Sequence, residues 1–131
     1  MNSQPPALSL GLLVLRAADP AGLAGMYSAL GMTFSPEQHG KGPLHYAADC
    51  AGTVIEIYPL TPADERTSST RLGFNVASIH AVHPALEAAG AVLVCPVKSS
   101  PWGKRAVFRD PAGHLFELLE KDVRPALSEI P

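Results

Sequence analysis

Two glutamates in this chain recur in one setting. Gly52-Thr53-Val54-Ile55-Glu56-Ile57 and Gly113-His114-Leu115-Phe116-Glu117-Leu118 share the form glycine, any residue, two apolar residues, glutamate, apolar residue. A carboxylate buried among apolar neighbours is costly unless it meets a cation, a donor or a proton. The chemistry open to such a pair is metal ligation, acid and base catalysis, or pairing with a fixed positive charge. His45 is the one plausible general base besides the glutamates. His80 and His83 stand three apart at a helix start, a spacing compatible with metal, but with no acidic partner or third ligand near them in sequence they read as solvated helix residues. Trp102, between Pro101 and Gly103 in the polar loop "KSSPWGKR", either anchors local packing or offers a flat face to a planar ligand. Ser, Cys and Asp give no pattern of an activated nucleophile, and no glycine-rich loop looks like a phosphate cradle.

The elements that must position these residues follow from hydrophobic period and punctuation. A strand is expected over about 8–16, then a helix over about 20–30 opened by Asp19-Pro20, since Asp19 can cap free amides and Pro20 at the first helical position loses no bond. Leu23, Met26, Tyr27 and Leu30 form one apolar stripe, and Gly31 can take the left-handed stop. Extended stretches over about 33–37, 44–49 and 53–58 complete a βαβββ unit. After the polar connector "TPADERTSST" the order repeats: a strand over about 71–77, a helix beginning near His80 and stopping at Gly90, and strands over about 91–97, 104–109 and 115–119. Asp110-Pro111-Ala112-Gly113 reads as a tight turn between the last two. The glutamate pattern falls at the corresponding point of both units, which points to an internal duplication.

Length and composition bound the rest. A chain of 131 residues with 47% hydrophobic and 17% charged residues is read as one soluble domain, with module one at about 7–60, a linker at 61–70, module two at 71–120 and a tail at 121–131. A formal net charge of -2 gives no field to hold a polyanion, so nucleic acid is not expected as a partner. No unbroken apolar run approaches ~18 residues, so no membrane span is expected. Cys50 and Cys95 form none of the paired spacings of a zinc or redox site and read as free thiols. With neither a secretion signal nor a cysteine framework, the expected compartment is the cytoplasm.

Two βαβββ modules with a glutamate in the last strand of each resemble the vicinal oxygen chelate superfamily, the group of glyoxalase I, extradiol dioxygenases such as those of the dihydroxybiphenyl dioxygenase fold, and bleomycin resistance proteins. The specific pieces are Asp19, Met26-Tyr27-Ser28-Ala29-Leu30-Gly31, and Asp110-Pro111-Ala112-Gly113-His114 with Glu117; Pro101-Trp102-Gly103 with Arg105 looks like the bleomycin resistance branch. The resemblance implies an α+β fold in which each module curls a mixed sheet into half of a cup, with a helix on its outer face. It also implies a homodimer, and His114 stands at a turn position where the family tends to have Asn. Strand parity then sends Val54, Glu56 and Tyr58 to one cup face and Leu115, Glu117 and Leu119 to the other.

The metal enzymes of the superfamily hold a divalent ion with residues on the first and last strands of each module. Glu56 and Glu117 match two of those positions, while Leu12 and Arg71 stand where histidines are usual, so no metal cofactor is expected. Arg71 either neutralises the glutamates in place of the ion or lies on an exposed strand edge. The resulting expectation is a metal-free binding protein holding an aromatic or cationic small molecule in a cup between modules, lined by Glu56, Tyr58, Arg71, Trp102 and Glu117, the two modules coming from one chain or from two. The alternative is a lyase, isomerase or dioxygenase of the same superfamily, using Glu56 or Glu117 as base or as ligands of a divalent metal. A third possibility is an interaction module with an empty cup.

Overall fold

Each half of the chain threads its fourth strand between its first and third. The computed structural model describes residues 7–121. The first module runs β1 (Leu12–Ala17), α1 (Pro20–Ser28), β2 (Ser35–Glu37), β3 (His45–Cys50) and β4 (Thr53–Pro59). The second runs β5 (Arg71–Asn75), α2 (Ile79–Ala88), β6 (Val92–Ser100), β7 (Gly103–Arg109) and β8 (Leu115–Glu120). The sheet orders, β1-β4-β3-β2 and β5-β8-β7-β6, are the same pattern twice. In each, the outer pair is parallel and the other three strands form an antiparallel meander. This is the expected α+β architecture of two tandem βαβββ modules. The tail expected over 121–131 lies, beyond Lys121, outside the described residues.

Local chemistry accounts for the helix starts. Asp19 Oδ1 accepts from Gly22 N at 3.0 Å with Pro20 at the first position, and Ser78 Oγ accepts from Ala81 N at 3.1 Å. The first helix ends earlier than the apolar stripe suggests, because Ala29, Leu30 and Gly31 turn their amides to the carbonyls three residues back. Gly31 then takes the left-handed conformation at φ 107°. The first strand is also shorter than expected. Its parallel partner β4 begins at Thr53, so Leu8 and Leu10 lie beyond any pairing strand and remain exposed. The largest difference is at "KSSPWGKR". Instead of a polar loop, β6 and β7 form one hairpin with Pro101 and Trp102 at its tip, and register shifts between Leu93 and Lys98 hide the strand period in the sequence.

One core joins the modules. Leu15, Ile57, Leu23, Met26 and Tyr27 of the first pack with Leu72, Ile79, Leu86, Phe108, Phe116 and Leu118 of the second. Each fully buried apolar side chain contributes about 1.5–3 kcal/mol. Tyr27 crosses between modules, its ring 5.8 Å from Phe74 and 5.5 Å from Phe116 and its hydroxyl donating to Asp110 Oδ2 at 2.6 Å. These core residues alternate along the strands with Glu56 and Glu117. The helix-bearing faces therefore meet inside the chain, and the two glutamate-bearing faces lie on the far sides of their sheets. Among the described residues no helix is long and apolar enough to cross a membrane.

Candidate functional site

Glu117 sits on β8 between two arginines. It faces Gly73 on β5 and Val107 on β7, with Arg71 and Arg105 on the diagonals. Arg105 bonds it bidentately, Nε to Oε2 at 3.2 Å and Nη2 to Oε1 at 3.0 Å, while Arg71 Nε donates to Oε1 at 3.2 Å. The Arg105 hydrogen bonds, aided by both guanidinium charges, hold the Glu117 carboxyl below its ordinary range against an opposing effect of burial. Glu117 in turn raises Arg105. Arg71 thus bridges Glu117, but the pair is not the buried one a cup would imply. The side chains are 32% exposed for Glu117, 47% for Arg71 and 48% for Arg105.

On the first sheet, Glu56 lies beside Val14 and Ala47 in the register, with His45 next to it. His45 is 1% exposed, and its ring stacks on Tyr58 with centroids 4.1 Å apart and planes at 9°. Glu37 Oε1 and Glu56 Oε2 approach its Nε2 at 3.3 and 3.7 Å. Arg16 stands over the Tyr58 ring at 5.5 Å and pairs with Asp64 at 3.3 Å. Bonds from Thr61, followed by the Arg16 charge, keep the Asp64 carboxyl low. Tyr58, Arg16, Lys41 and Asp64 border an open hollow of about 550 Å3.

The expected site residues therefore form groups rather than one cluster. Arg71 and Glu117 are together, Glu56 and Tyr58 are together, and Trp102 stands 80% exposed at its hairpin tip. A separate crevice of about 300 Å3 between the sheets, lined by Leu13, Ile55, Leu72 and Phe74, has Arg71 on its border. The divalent ion of the metal enzymes does not fit these side chains at the four strand positions. Leu12 offers no donor, Arg71 brings a fixed cation already bonded to Glu117, and Glu117 has both oxygens occupied by guanidinium groups.

The remaining histidines divide cleanly. His80 is exposed, but His83 packs edge-on against Phe108 at 5.1 Å and lies 3.3 Å from Glu87, an acidic neighbour one helical turn away that the sequence reading passed over. His114 is fully buried. Its Nδ1 donates to Asp110 Oδ2 at 2.9 Å and its Nε2 meets the Thr67 hydroxyl at 2.7 Å, while Thr67 Oγ1 accepts from Arg16 N at 2.9 Å. Hydroxyl, imidazole and carboxylate stand in the order of a nucleophilic relay. Burial of the imidazole, and occupation of the hydroxyl by a backbone amide, make the group a tie between connector and turn instead. Burial, then the Asp110 charge, pushes the Tyr27 phenol far above its usual range, so it remains a donor to Asp110. The pairing of Arg105 with Glu117, the place of Glu37 beside His45 and the Tyr27–Asp110 contact are not legible in the sequence, because each depends on cross-strand register or on a pairing far along the chain.

Two duplicated βαβββ modules sharing a core define a protein of the vicinal oxygen chelate type. The Glyoxalase-like domain matches residues 12–119, and the chain belongs to that family. Among solved structures it is similar to TnmS3, an antibiotic binding protein from Streptomyces sp. CB03234, with 22% identity over 90% of this chain and 100% of the other and a TM-score of 0.69. TioX from Micromonospora sp. ML1 gives 23% identity, 87% and 99% coverage and a TM-score of 0.66. The oxidase ChaP-H2 gives 19% identity, 89% and 96% coverage and a TM-score of 0.71. No curated protein matches the chain.

Proposed function

We propose that this protein binds a small aromatic or cationic molecule in the manner of the bleomycin resistance group, using Glu56, Tyr58, Arg71, Trp102 and Glu117 with no ion at the four strand positions. The observation that carries this reading is the state of Glu117. Its charge is already met by Arg71 and Arg105, so the second sheet needs no metal to keep a carboxylate on its open face, and the chain's one tryptophan stands exposed nearby in sequence on the β6–β7 hairpin. A flat aromatic surface with a few fixed polar groups suits sequestration, which requires no catalytic group. The description of TnmS3 as an antibiotic binding protein supports the same class of ligand. The free thiols Cys50 and Cys95 suit a reducing compartment, the cytoplasm.

The protein in this reading works as a homodimer whose second copy closes each open face into a cup. The faces carry opposite charge. The first presents Glu37, Asp49 and Glu56 against Arg16, while the second presents Arg71, Arg105 and Arg109 against Glu117. The first face of one copy therefore complements the second face of another. Leu12, Val92, Val94 and Val97 are also exposed, and apolar surface of this extent favours a cover. Light scattering at micromolar concentration should give about twice the chain mass; a monomer that persists at high concentration overturns the dimer. Titrating Trp102 fluorescence with bleomycin-type glycopeptides and planar aromatics should give saturable quenching, and silence across the panel from folded protein overturns the binding reading. A second reading, an enzyme with Glu56 as base, draws on the packing of His45 beside that carboxylate.

A further inference from the structure

The β2–β3 margin of the first sheet holds a group of side chains that the ligand reading leaves largely unused. Glu37 stands directly opposite His45 in the β2–β3 register, so the two share a face. His45 Nδ1 lies 3.2 Å from the Pro43 carbonyl, which only accepts, so Nδ1 carries a proton and Nε2 is the ring atom left to take a metal ion or a second proton. Stacking on Tyr58 keeps the ring from turning away. That buried Nε2 makes no hydrogen bond, although Glu37 Oε1 lies 3.3 Å and Glu56 Oε2 3.7 Å from it. His39, in the turn after β2, brings its own Nε2 to 3.6 Å from the same Glu37 oxygen, with its ring 5.2 Å from that of His45. A ring nitrogen enclosed with two carboxylates needs a positive charge among them, either a bound cation or a second ring proton.

We propose that Glu37, His39 and His45, with Glu56 beside them, bind a divalent first-row cation such as zinc, cobalt or nickel. The donor atoms of the first three all lie within 4.8 Å of one another. A tetrahedral ion with bonds of about 2.0–2.1 Å holds its donors about 3.3–3.4 Å apart; the two distances to Glu37, 3.3 and 3.6 Å, are near that, and the exposed His39 supplies the remaining approach. Imidazole nitrogens with carboxylate oxygens suit these metals better than calcium or magnesium. The Nδ1 contact to Pro43 is the outer bond that orients a ligating histidine. His39 is 74% exposed, so it can close over an arriving ion without disturbing the sheet. The site shares only Glu56 with the four strand positions rejected above, and Glu56 is also the one residue it shares with the ligand set.

The test uses untagged, chelator-stripped full chain and cobalt(II) as the probe. One cobalt per chain should bind, with the visible absorption of a four-coordinate nitrogen and oxygen site, and zinc should displace it. His39→Ala and Glu37→Gln change partly or largely exposed side chains and should fold, and each should weaken cobalt binding by at least about tenfold. His45→Asn should abolish binding, and a His80→Gln/His83→Gln variant should retain it. Failure to bind, equal binding by His39→Ala and Glu37→Gln, loss in the His80/His83 variant, or a sulfur-to-cobalt absorption band from Cys50 or Cys95 would each overturn the proposal. Nitrogen NMR showing His45 Nε2 protonated both with and without zinc would overturn it as well, since a proton would then occupy the place of the ion.

Discussion

Glu117→Gln measures how far the carboxylate fork is dried. Glutamine keeps the shape and one acceptor oxygen but removes the charge that both Arg71 and Arg105 address at 3.0–3.2 Å. With side chains one-third to one-half exposed, an ion pair of this kind is worth about 0.2–1 kcal/mol. Two such pairs put the loss for the single chain at about 1 kcal/mol, with about 2 kcal/mol as the ceiling. The sign with pH follows from the direction of the shift. Folding holds the Glu117 carboxyl below its ordinary range, so its stabilisation is complete above the unfolded value of about 4.3 and is lost as pH falls through the lower folded value. Urea denaturation of both proteins at about pH 7 should show the difference in full, and the two curves should approach each other as pH is lowered below about 4.3. High salt should also shrink it. If a second copy covers the face, the guanidinium groups left unpaired in the variant are dried, and the loss should rise toward about 3 kcal/mol with protein concentration. A loss that does not change with pH, or one above about 3 kcal/mol at every concentration, would refute the half-exposed charge pairing.

Tyr27→Phe removes the 2.6 Å bond to the buried Asp110 carboxylate while preserving the packing against Phe74 and Phe116. It should cost about 1–3 kcal/mol in urea denaturation, and a cost under about 0.5 kcal/mol would show that the hydroxyl is not needed between the modules. Arg71→Ala should cost no more than about 1 kcal/mol in dilute monomer by the same measurement, since Arg105 keeps its bidentate hold on Glu117; a cost near 3 kcal/mol there would mean the pair is buried within one chain.

The architecture could be read from local chemistry. Asp19-Pro20, the Leu23, Met26 and Tyr27 stripe, the glycine stops and the repeated glutamate strands are all signals within a few residues, and they define both modules. Parity along β4 and β8 also separates Ile55, Ile57, Phe116 and Leu118, which are buried, from Glu56 and Glu117. Register could not be read in this way. Arg105 reaches Glu117 only because β7 pairs with β8 so that Val107 opposes the glutamate, and nothing local announces that alignment. Glu37 meets His45 for the same reason. The β6–β7 hairpin was obscured by Pro96, the serines and two irregularities in register, which break the alternation a strand otherwise shows. Nor does any local pattern tell that the helix-bearing faces pack together; that rests on Tyr27 meeting Asp110, 83 residues away.

In the proposed function the Glu117 fork and Trp102 belong to one ligand surface. Its most direct test follows the Arg71 and Arg105 Nε signals and the Trp102 indole signal by NMR while the first ligand that quenches Trp102 is added. All three should shift together and saturate at one stoichiometry, and Glu117→Gln should weaken the response of all three. Indole shifts with both arginine signals unmoved, or shifts confined to residues remote from β5, β7 and β8, would contradict it.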